Sequence, residues 1–123
     1  RVCREKLGVD WWAIGEGFSW ESEDLSKDEA VAQVAWAHAK NCISSGEYQL
    51  VVLDEVTYPA NWGWISKEEL VSEVVGRPEK TNIVITGRDA PAEFVEIADT
   101  VTEMRNVKHA YESGIVAKKG IDY

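Results

Sequence analysis

A run of four aliphatic residues opens the segment Leu50–Tyr58, which reads Leu-Val-Val-Leu-Asp-Glu-Val-Thr-Tyr. An uncharged run of this kind is typical of a parallel strand that is covered on both faces. In open α/β sheets, ligands bind in the crevice just beyond the carboxyl ends of the strands. The pattern therefore predicts a buried strand that presents two carboxylates, Asp54 and Glu55, at its C-terminal end.

A long helical pattern precedes this strand. Ser26 is placed to cap the helix, Asp28 and Glu29 lie in the first turn near its positive end, and Gly46 ends it. Its apolar residues form two stripes at helical spacing, one with Ala30, Val31, Val34, Ala35, His38 and Cys42 and the other with Ala32, Trp36, Ala39 and Ile43. A helix that is apolar on two sides is expected to pack on the sheet and on a second element.

The rest of the chain alternates strand and helix patterns. Ser66–Glu69 is a capping box with Ile65 and Leu70 as its hydrophobic staple, and Gly76 followed by Pro78 ends that helix. Further strands are predicted at Val9–Ile14, Thr81–Thr86 and Thr100–Arg105, a helix near Ala90–Ala98, and a hairpin or edge strand around Gly114 in the tail Val107–Tyr123. This order predicts an α/β fold with a mainly parallel sheet and helices on both faces.

The acids after the predicted strand Leu50–Tyr58 form a signature similar to Walker B. In P-loop proteins an acid at this place holds Mg²⁺ on the phosphates of a nucleotide. The Gly-x-x-x-x-Gly-Lys-[Ser/Thr] loop that normally accompanies it does not occur in the sequence. We therefore expect one domain over residues 1–123 that is truncated, without the front strand and the P-loop.

The composition narrows the choice of partners. The 123 residues suffice for one domain, and the formal net charge is −9. This acidic balance argues against nucleic acid or an anionic membrane as a partner, because both attract basic surfaces. No apolar run is long enough to span a bilayer, and Cys3 and Cys42 follow no metal-binding spacing. A cytoplasmic protein with two reduced thiols is expected.

Four separated segments resemble one family when they are taken together. They are Gly17–Glu21 (Gly-Phe-Ser-Trp-Glu), Val51–Glu55, Thr86–Arg88, and the tail from Val107–Ala110 through Gly114 to Gly120–Tyr123. In this order they resemble the P-loop-type ATP:corrinoid adenosyltransferases, bacterial enzymes that complete the upper axial ligand of coenzyme B12. The resemblance covers essentially the whole chain. It implies a RecA-like P-loop fold, whose N-terminal strand and P-loop are absent from this chain, in a cytoplasmic homodimer.

The resemblance also implies a reaction. The Co(I) centre of a reduced corrinoid would attack the 5′ carbon of ATP, so that the 5′-deoxyadenosyl group is transferred and triphosphate leaves. ATP and the corrinoid are then substrates, Mg²⁺ is a cofactor, and a flavoprotein is the reductant. Co(I) is a strong nucleophile that needs no general base, so the protein acts by positioning and by stabilising the leaving group. Asp54 and Glu55 would hold Mg²⁺; the alternative is a solvated pair at the sheet rim.

Phe18 and Trp20 are the aromatic residues that the resemblance marks as catalytic. Because they lie two positions apart, they point to the same side of an extended loop. In the family, the matching loop closes over the lower face of the corrinoid and displaces the lower ligand, which leaves a four-coordinate cobalt that is easier to reduce. The alternative is that both aromatics fill the core beneath a loop.

Arg88 and Trp62 are candidate binding residues near the two acids. Arg88 follows the strand Thr81–Thr86, at the rim where Asp54 emerges if the two strands are neighbours, and an arginine fork suits triphosphate oxygens. The alternative is a rim salt bridge. Trp62 follows Asp54–Glu55 and could line the mouth of the site, with helix-entry packing or a dimer contact as the alternatives.

Three other basic side chains, one in a helix and two in the tail, carry weaker signals. Lys108 and His109, in the tail, gain a binding role only through the resemblance. His38 lies on an apolar stripe of its helix and is interpreted as a hydrogen-bonded core histidine.

Two other classes of function stay open. Another P-loop ATPase or kinase would need a base or a switch residue and would lack the loop that carries Phe18 and Trp20. A non-catalytic fragment that docks to other chains is suggested by the missing phosphate loop and by the apolar stripe through Trp36. Without a P-loop, residues 1–123 alone are expected to be inactive as an enzyme.

Overall fold

The computed structural model of the protein describes residues 2–14 and 25–119. In chain order its elements are α1 (Val2–Leu7), α2 (Leu25–Ser45), β1 (Leu50–Leu53), α3 (Thr57–Asn61), α4 (Lys67–Val75), β2 (Asn82–Ile85), α5 (Ala92–Ile97) and a 3-10 helix at Ala110–Ser113. This alternation confirms the α/β class. Helix α5 confirms the helix predicted near Ala90–Ala98.

The two strands lie side by side in parallel. The register runs from Leu50 opposite Asn82 to Leu53 opposite Ile85. Strand β2 confirms the prediction at Thr81–Thr86, shorter by one residue at each end. Because the strands are parallel neighbours, their carboxyl ends meet at one edge of the sheet, as a shared site requires.

Strand β1 is shorter than the sequence indicates. The predicted strand Leu50–Tyr58 ends at Leu53, and its last two residues, Thr57 and Tyr58, begin α3. The physical reason is the backbone of Glu55, whose φ of 54° lies in the left-handed region and cannot continue a strand. Asp54 and Glu55 therefore lie in the loop between β1 and α3.

Only one face of the sheet is covered by the described residues. Val51, Leu53, Ile83 and Ile85 belong to or pack against the hydrophobic core. On the other face, Leu50 and Val52 are each 54% exposed. The predicted burial of both faces is therefore not met within residues 2–14 and 25–119, where the helices pack on one side.

Helix α2 packs on β1 and on α4, which confirms the expectation that it packs on the sheet and on a second element. Its core side is the stripe that includes Ala32, Trp36 and Ile43, all buried, whereas Val34 of the other stripe is 62% exposed. Gly46 follows its end with a φ of 65°, as predicted. The predicted cap was wrong, because α2 begins at Leu25 and Ser26 lies inside it.

The capping box at the start of α4 is confirmed in part. Ser66 Oγ accepts a hydrogen bond from the Glu69 N–H at 3.1 Å, and Ile65 and Leu70 are both buried. The carboxylate of Glu69 does not return to Ser66 but accepts hydrogen bonds from Trp36 Nε1 and Lys40 Nζ of α2. Glu69, in the first turn of α4, therefore joins this helix to α2, and Gly76 caps the other end as predicted.

Two predicted strands and the tail hairpin are wrong. Val9–Ile14 and Thr100–Arg105 form no strand, and the tail contains the 3-10 helix capped by Gly114 in a left-handed conformation. A strand needs a hydrogen-bonded neighbour. In the part of the chain that the structure describes, β1 and β2 pair only with each other. Residues 2–7 form helix α1, which was not among the elements predicted from the sequence.

Candidate functional site

Asp54 and Glu55 lie together just past the end of β1, and both side chains are exposed to solvent. The left-handed backbone of Glu55 turns the chain sharply after the strand. A non-glycine residue in this conformation is strained and needs support from its surroundings.

Thr86 supplies that support from the end of the neighbouring strand. Its N–H donates to the carbonyl oxygen of Leu53 at 3.1 Å, which extends the ladder by one bond. Its hydroxyl accepts a hydrogen bond from the Glu55 N–H at 2.9 Å and donates to Asp54 Oδ1 at 2.6 Å. Thr86 therefore contacts the backbone of one acid and the carboxylate of the other.

Two further contacts join the loop after β1 to the loop after β2. The side chain of Thr57 packs against Gly87, whose φ is 147° and where a Cβ would lie 1.8 Å from Thr57 Oγ1. The Asn61 amide donates from Nδ2 to the carbonyl oxygen of Asp89 at 2.8 Å. The two loops therefore form one connected surface at the carboxyl edge of the sheet.

Arg88 lies on this surface between Gly87 and Asp89 and is exposed. The two strands are neighbours, as the prediction for Arg88 requires. Within residues 2–14 and 25–119, no ion pair joins Arg88 to a carboxylate, so the rim salt bridge proposed as its alternative role is not seen there. Its guanidinium is accessible to an anionic ligand.

An aromatic group stands next to the acids. The ring of Trp62 lies 5.5 Å from that of Tyr58 and 4.7 Å from that of Trp64, centroid to centroid. Trp62 remains 44% exposed, although it caps the C-terminal end of α3. Trp62 therefore lies close to the acids in sequence and on the surface, and its place at the mouth of a site stays a prediction.

A hollow of about 770 Å³ reaches the acids from the side of β1 and α2. Asp54, Glu55 and Trp62 line it at the carboxyl end of β1, and Trp12, together with the His38 and Cys42 side chains, lines it elsewhere. All residues of β1 border this hollow and none of β2 does, so it lies along the edge of β1 that faces away from β2.

His38 has the packing of a structural residue. Its Nε2 lies 3.5 Å from Cys42 Sγ, and its ring meets Trp12 edge-on at 4.7 Å. Burial, followed by the negative charge of Asp10, raises the pKa of the Cys42 thiol above its ordinary value. A thiol with a raised pKa is a weak nucleophile at neutral pH. The interpretation of His38 as a core histidine agrees with these contacts.

The remaining candidates are not brought to this surface by any contact of the described residues. Lys108 and His109 are exposed, and His109 Nδ1 accepts a hydrogen bond from the Tyr111 N–H at 3.1 Å, which caps the 3-10 helix. Phe18 and Trp20 lie outside the described residues.

The acidic pair suits a cation that keeps much of its water. In the described part of the chain, no group of three or more His, Cys, Asp or Glu residues could hold a metal ion. Mg²⁺ is usually bound by one or two carboxylates together with water and substrate phosphates. Asp54 uses only Oδ1 toward Thr86, so the pair fits such an ion bound with a nucleotide.

Sequence reasoning missed Thr57, Asn61 and Thr86 as parts of this edge. Thr86 was noted only as part of a segment, because a threonine before glycine has no chemical signature of its own. Its position at the end of a buried strand was the one available signal.

Comparison with known proteins gives a consistent result over the full chain. A model of the family described as "ATP:corrinoid adenosyltransferase BtuR/CobO/CobP" matches residues 1–123. The chain is 37% identical over 123 residues to the corrinoid adenosyltransferase of Escherichia coli (strain K12) and to the corrinoid adenosyltransferase CobA of Salmonella typhimurium, covering 100% of this chain and 63% of each relative. It is 39% identical over 115 residues to the corrinoid adenosyltransferase of Pseudomonas aeruginosa, covering 94% of this chain and 57% of that relative.

The chain therefore spans 57–63% of the length of these relatives. None of the helices described is long and apolar enough to cross a membrane.

Proposed function

Because the chain belongs to the ATP:corrinoid adenosyltransferase family, we propose that the full-length protein transfers the 5′-deoxyadenosyl group of ATP to the Co(I) centre of a reduced corrinoid and releases triphosphate. The observation that supports this best is the joined carboxyl edge of β1 and β2. There Asp54 and Glu55 lie on one loop and Arg88 on the loop connected to it.

The charged residues of this edge act on the triphosphate. Asp54 and Glu55 would hold Mg²⁺, which would supply positive charge against the leaving triphosphate. The Arg88 guanidinium donates paired hydrogen bonds to phosphate oxygens, which stabilises the leaving group without any proton transfer.

The aromatic residues act on the corrinoid. Phe18 and Trp20 cover the lower face of the cobalt and offer it no ligand, so that the four-coordinate form is favoured. Trp62 lines the mouth of the site beside Tyr58 and Trp64. Lys108 and His109 are further binding residues, a role that rests on their match to the family.

The full-length protein is proposed to complete a RecA-like P-loop fold around the parallel pair β1 and β2. We expect a homodimer in the cytoplasm that receives its electrons from a flavoprotein. The net charge of −9 supports the absence of nucleic acid and anionic membranes among its partners.

The test is an adenosylation assay with the full-length protein. Mg-ATP and a chemically reduced Co(I) corrinoid are supplied, the cobalt–carbon bond is followed by absorbance, and the phosphate product is identified. The proposal requires adenosylated corrinoid and triphosphate in equal amounts. Release of ADP at a rate independent of the corrinoid would favour an ATPase or kinase, and binding without turnover would favour a docking fragment.

A further inference from the structure

The hydroxyl of Thr86 contacts both acids. A threonine hydroxyl has one proton to donate and lone pairs that accept. The Glu55 N–H can only donate, so the hydroxyl accepts there at 2.9 Å, and its single proton is directed to Asp54 Oδ1 at 2.6 Å. Replacing this hydroxyl by a methyl group would break both bonds at once.

The position of Thr86 is itself fixed. Its N–H bond to the Leu53 carbonyl oxygen places it one residue beyond β2, and a β-branched side chain has few rotamers. The next residue, Gly87, is held against Thr57. A rigid strand end therefore carries the hydroxyl that contacts Asp54 and the strained residue Glu55.

We propose that Thr86 is a positioning residue for the Asp54–Glu55 pair, which sets the geometry in which the two carboxylates receive a magnesium ion with the nucleotide. The proposal rests on the proposed function, because the role of the two acids in holding Mg²⁺ is part of that function. Thr86 acts through the two acids, by orienting the carboxylate of Asp54 and by holding the left-handed backbone of Glu55.

A purely structural role makes a different prediction. If Thr86 only stabilised the end of the β1–β2 pair, loss of its hydroxyl would lower stability and turnover together. It would not change the Mg²⁺ requirement for ATP binding. Thr81 offers a matched control at the opposite end of β2. It is buried, and its hydroxyl donates to the Tyr48 carbonyl oxygen at 2.9 Å, away from the acids.

The experiment uses the full-length protein and three variants, Thr86→Val, Thr86→Ser and Thr81→Val. Calorimetry measures ATP binding without corrinoid at a series of Mg²⁺ concentrations, and hydrogen exchange follows the Glu55 amide. We expect Thr86→Val to raise the Mg²⁺ concentration needed for half-maximal ATP binding by about tenfold or more, as for other residues that orient metal ligands. Exchange at Glu55 should become faster.

Rescue by the conservative variant distinguishes positioning from packing. Thr86→Ser keeps the hydroxyl and should stay within about threefold of the unsubstituted protein, which is less than the roughly tenfold or larger loss expected for a missing orienting group. Thr81→Val should lower stability without changing the Mg²⁺ requirement. An unchanged Mg²⁺ requirement in Thr86→Val, or an equal change in Thr81→Val, overturns the proposal.

The binding readout separates this proposal from the proposed function. If the unsubstituted protein binds Mg-ATP but does not adenosylate a corrinoid, the reaction is wrong while the positioning role is still decided by the variants. If it binds no Mg-ATP at all, both proposals are overturned.

Discussion

Thr57 packs directly against the backbone of Gly87, and a Cβ built on Gly87 would lie 1.8 Å from Thr57 Oγ1 and 2.8 Å from Thr57 Cβ. Real atoms cannot approach this closely, so only glycine allows the two loops to meet here. The contact sits between the Thr86 bonds to the acids and the Asn61 bond to Asp89. It is therefore part of what sets the spacing of the site.

Gly87→Ala should displace one loop from the other. The methyl group meets Thr57 and the alanine takes an unfavourable positive φ, so we expect a loss of stability larger than the ~1–2 kcal/mol of the conformational strain alone. Gly63→Ala is the control, because Gly63 has a φ of 75° and nothing lies within 4 Å of its added Cβ. Urea unfolding of both variants measures the difference. Equal losses would show that the contact with Thr57 does not resist substitution.

Local chemistry in the sequence predicted both ends of α4. Ser66 and Gly76 bound α4 as expected, because capping involves residues within one turn of each other. The end of β1 could not be predicted in this way. It depends on the left-handed backbone of Glu55, which is held by a hydroxyl 31 residues later.

The same limit explains the error at Trp12. An alternating pattern suggested a strand at Val9–Ile14, but the Trp12 ring packs on His38 and Tyr48 instead of facing a neighbouring strand. The partner of Trp36 on α2 is likewise distant in sequence, because Trp36 Nε1 donates to Glu69, a residue 33 positions away. The acidic pair and Arg88 were predictable because parallel strands place their ends together.

The bond between Glu69 and α2 should make stability depend on pH. The hydrogen bond from Lys40, followed by that from Trp36, lowers the pKa of Glu69 below its ordinary value. The unfolded chain then binds the proton more readily than the folded one. The stabilisation is complete above the ordinary glutamate pKa of about 4.3 and is lost as the pH falls through the lowered value.

Glu69→Gln keeps an oxygen that can accept from Trp36 but removes the charge. We expect urea unfolding of this variant to lose less stability between neutral pH and pH values below the ordinary glutamate pKa than the unsubstituted protein loses. Glu73→Gln, on the same helix, is the control and should follow the unsubstituted protein. If the unsubstituted protein and both variants lose the same stability as the pH falls, Glu69 does not contribute to the acid sensitivity.

Asp54→Asn and Glu55→Gln should weaken the use of Mg-ATP while leaving corrinoid binding largely intact. Each amide preserves the shape of the side chain but removes the charge that offsets the cation. The measurement is turnover of the full-length protein against Mg²⁺ concentration, with corrinoid affinity determined separately. Asp89→Asn removes an exposed carboxylate from the neighbouring loop and should change neither. An unaltered Mg²⁺ dependence in both acid variants would contradict the metal role.

Phe18 and Trp20 provide the test that separates a corrinoid enzyme from a generic ATPase. If they cover the lower face of the cobalt, Phe18→Ala and Trp20→Ala should let water or the native base return as a fifth ligand. A fifth ligand lowers the Co(II)/Co(I) potential, so reduction becomes harder. ATP binding should hardly change, because in this proposal the two side chains touch the corrinoid and not the phosphates.

The expected signature is therefore a loss of turnover from Co(II) corrinoid that is partly rescued when chemically reduced Co(I) corrinoid is supplied. Pre-reduction bypasses the reduction step that Phe18 and Trp20 would assist, and the strong nucleophile then meets an intact ATP site. A core-packing role predicts instead a similar loss with both substrates and a stability cost of about 3–5 kcal/mol, as for deletion of a buried large aromatic. Paired assays with the two oxidation states, alongside a melting curve, decide between them. Equal losses together with a large drop in melting temperature would place both residues in the core.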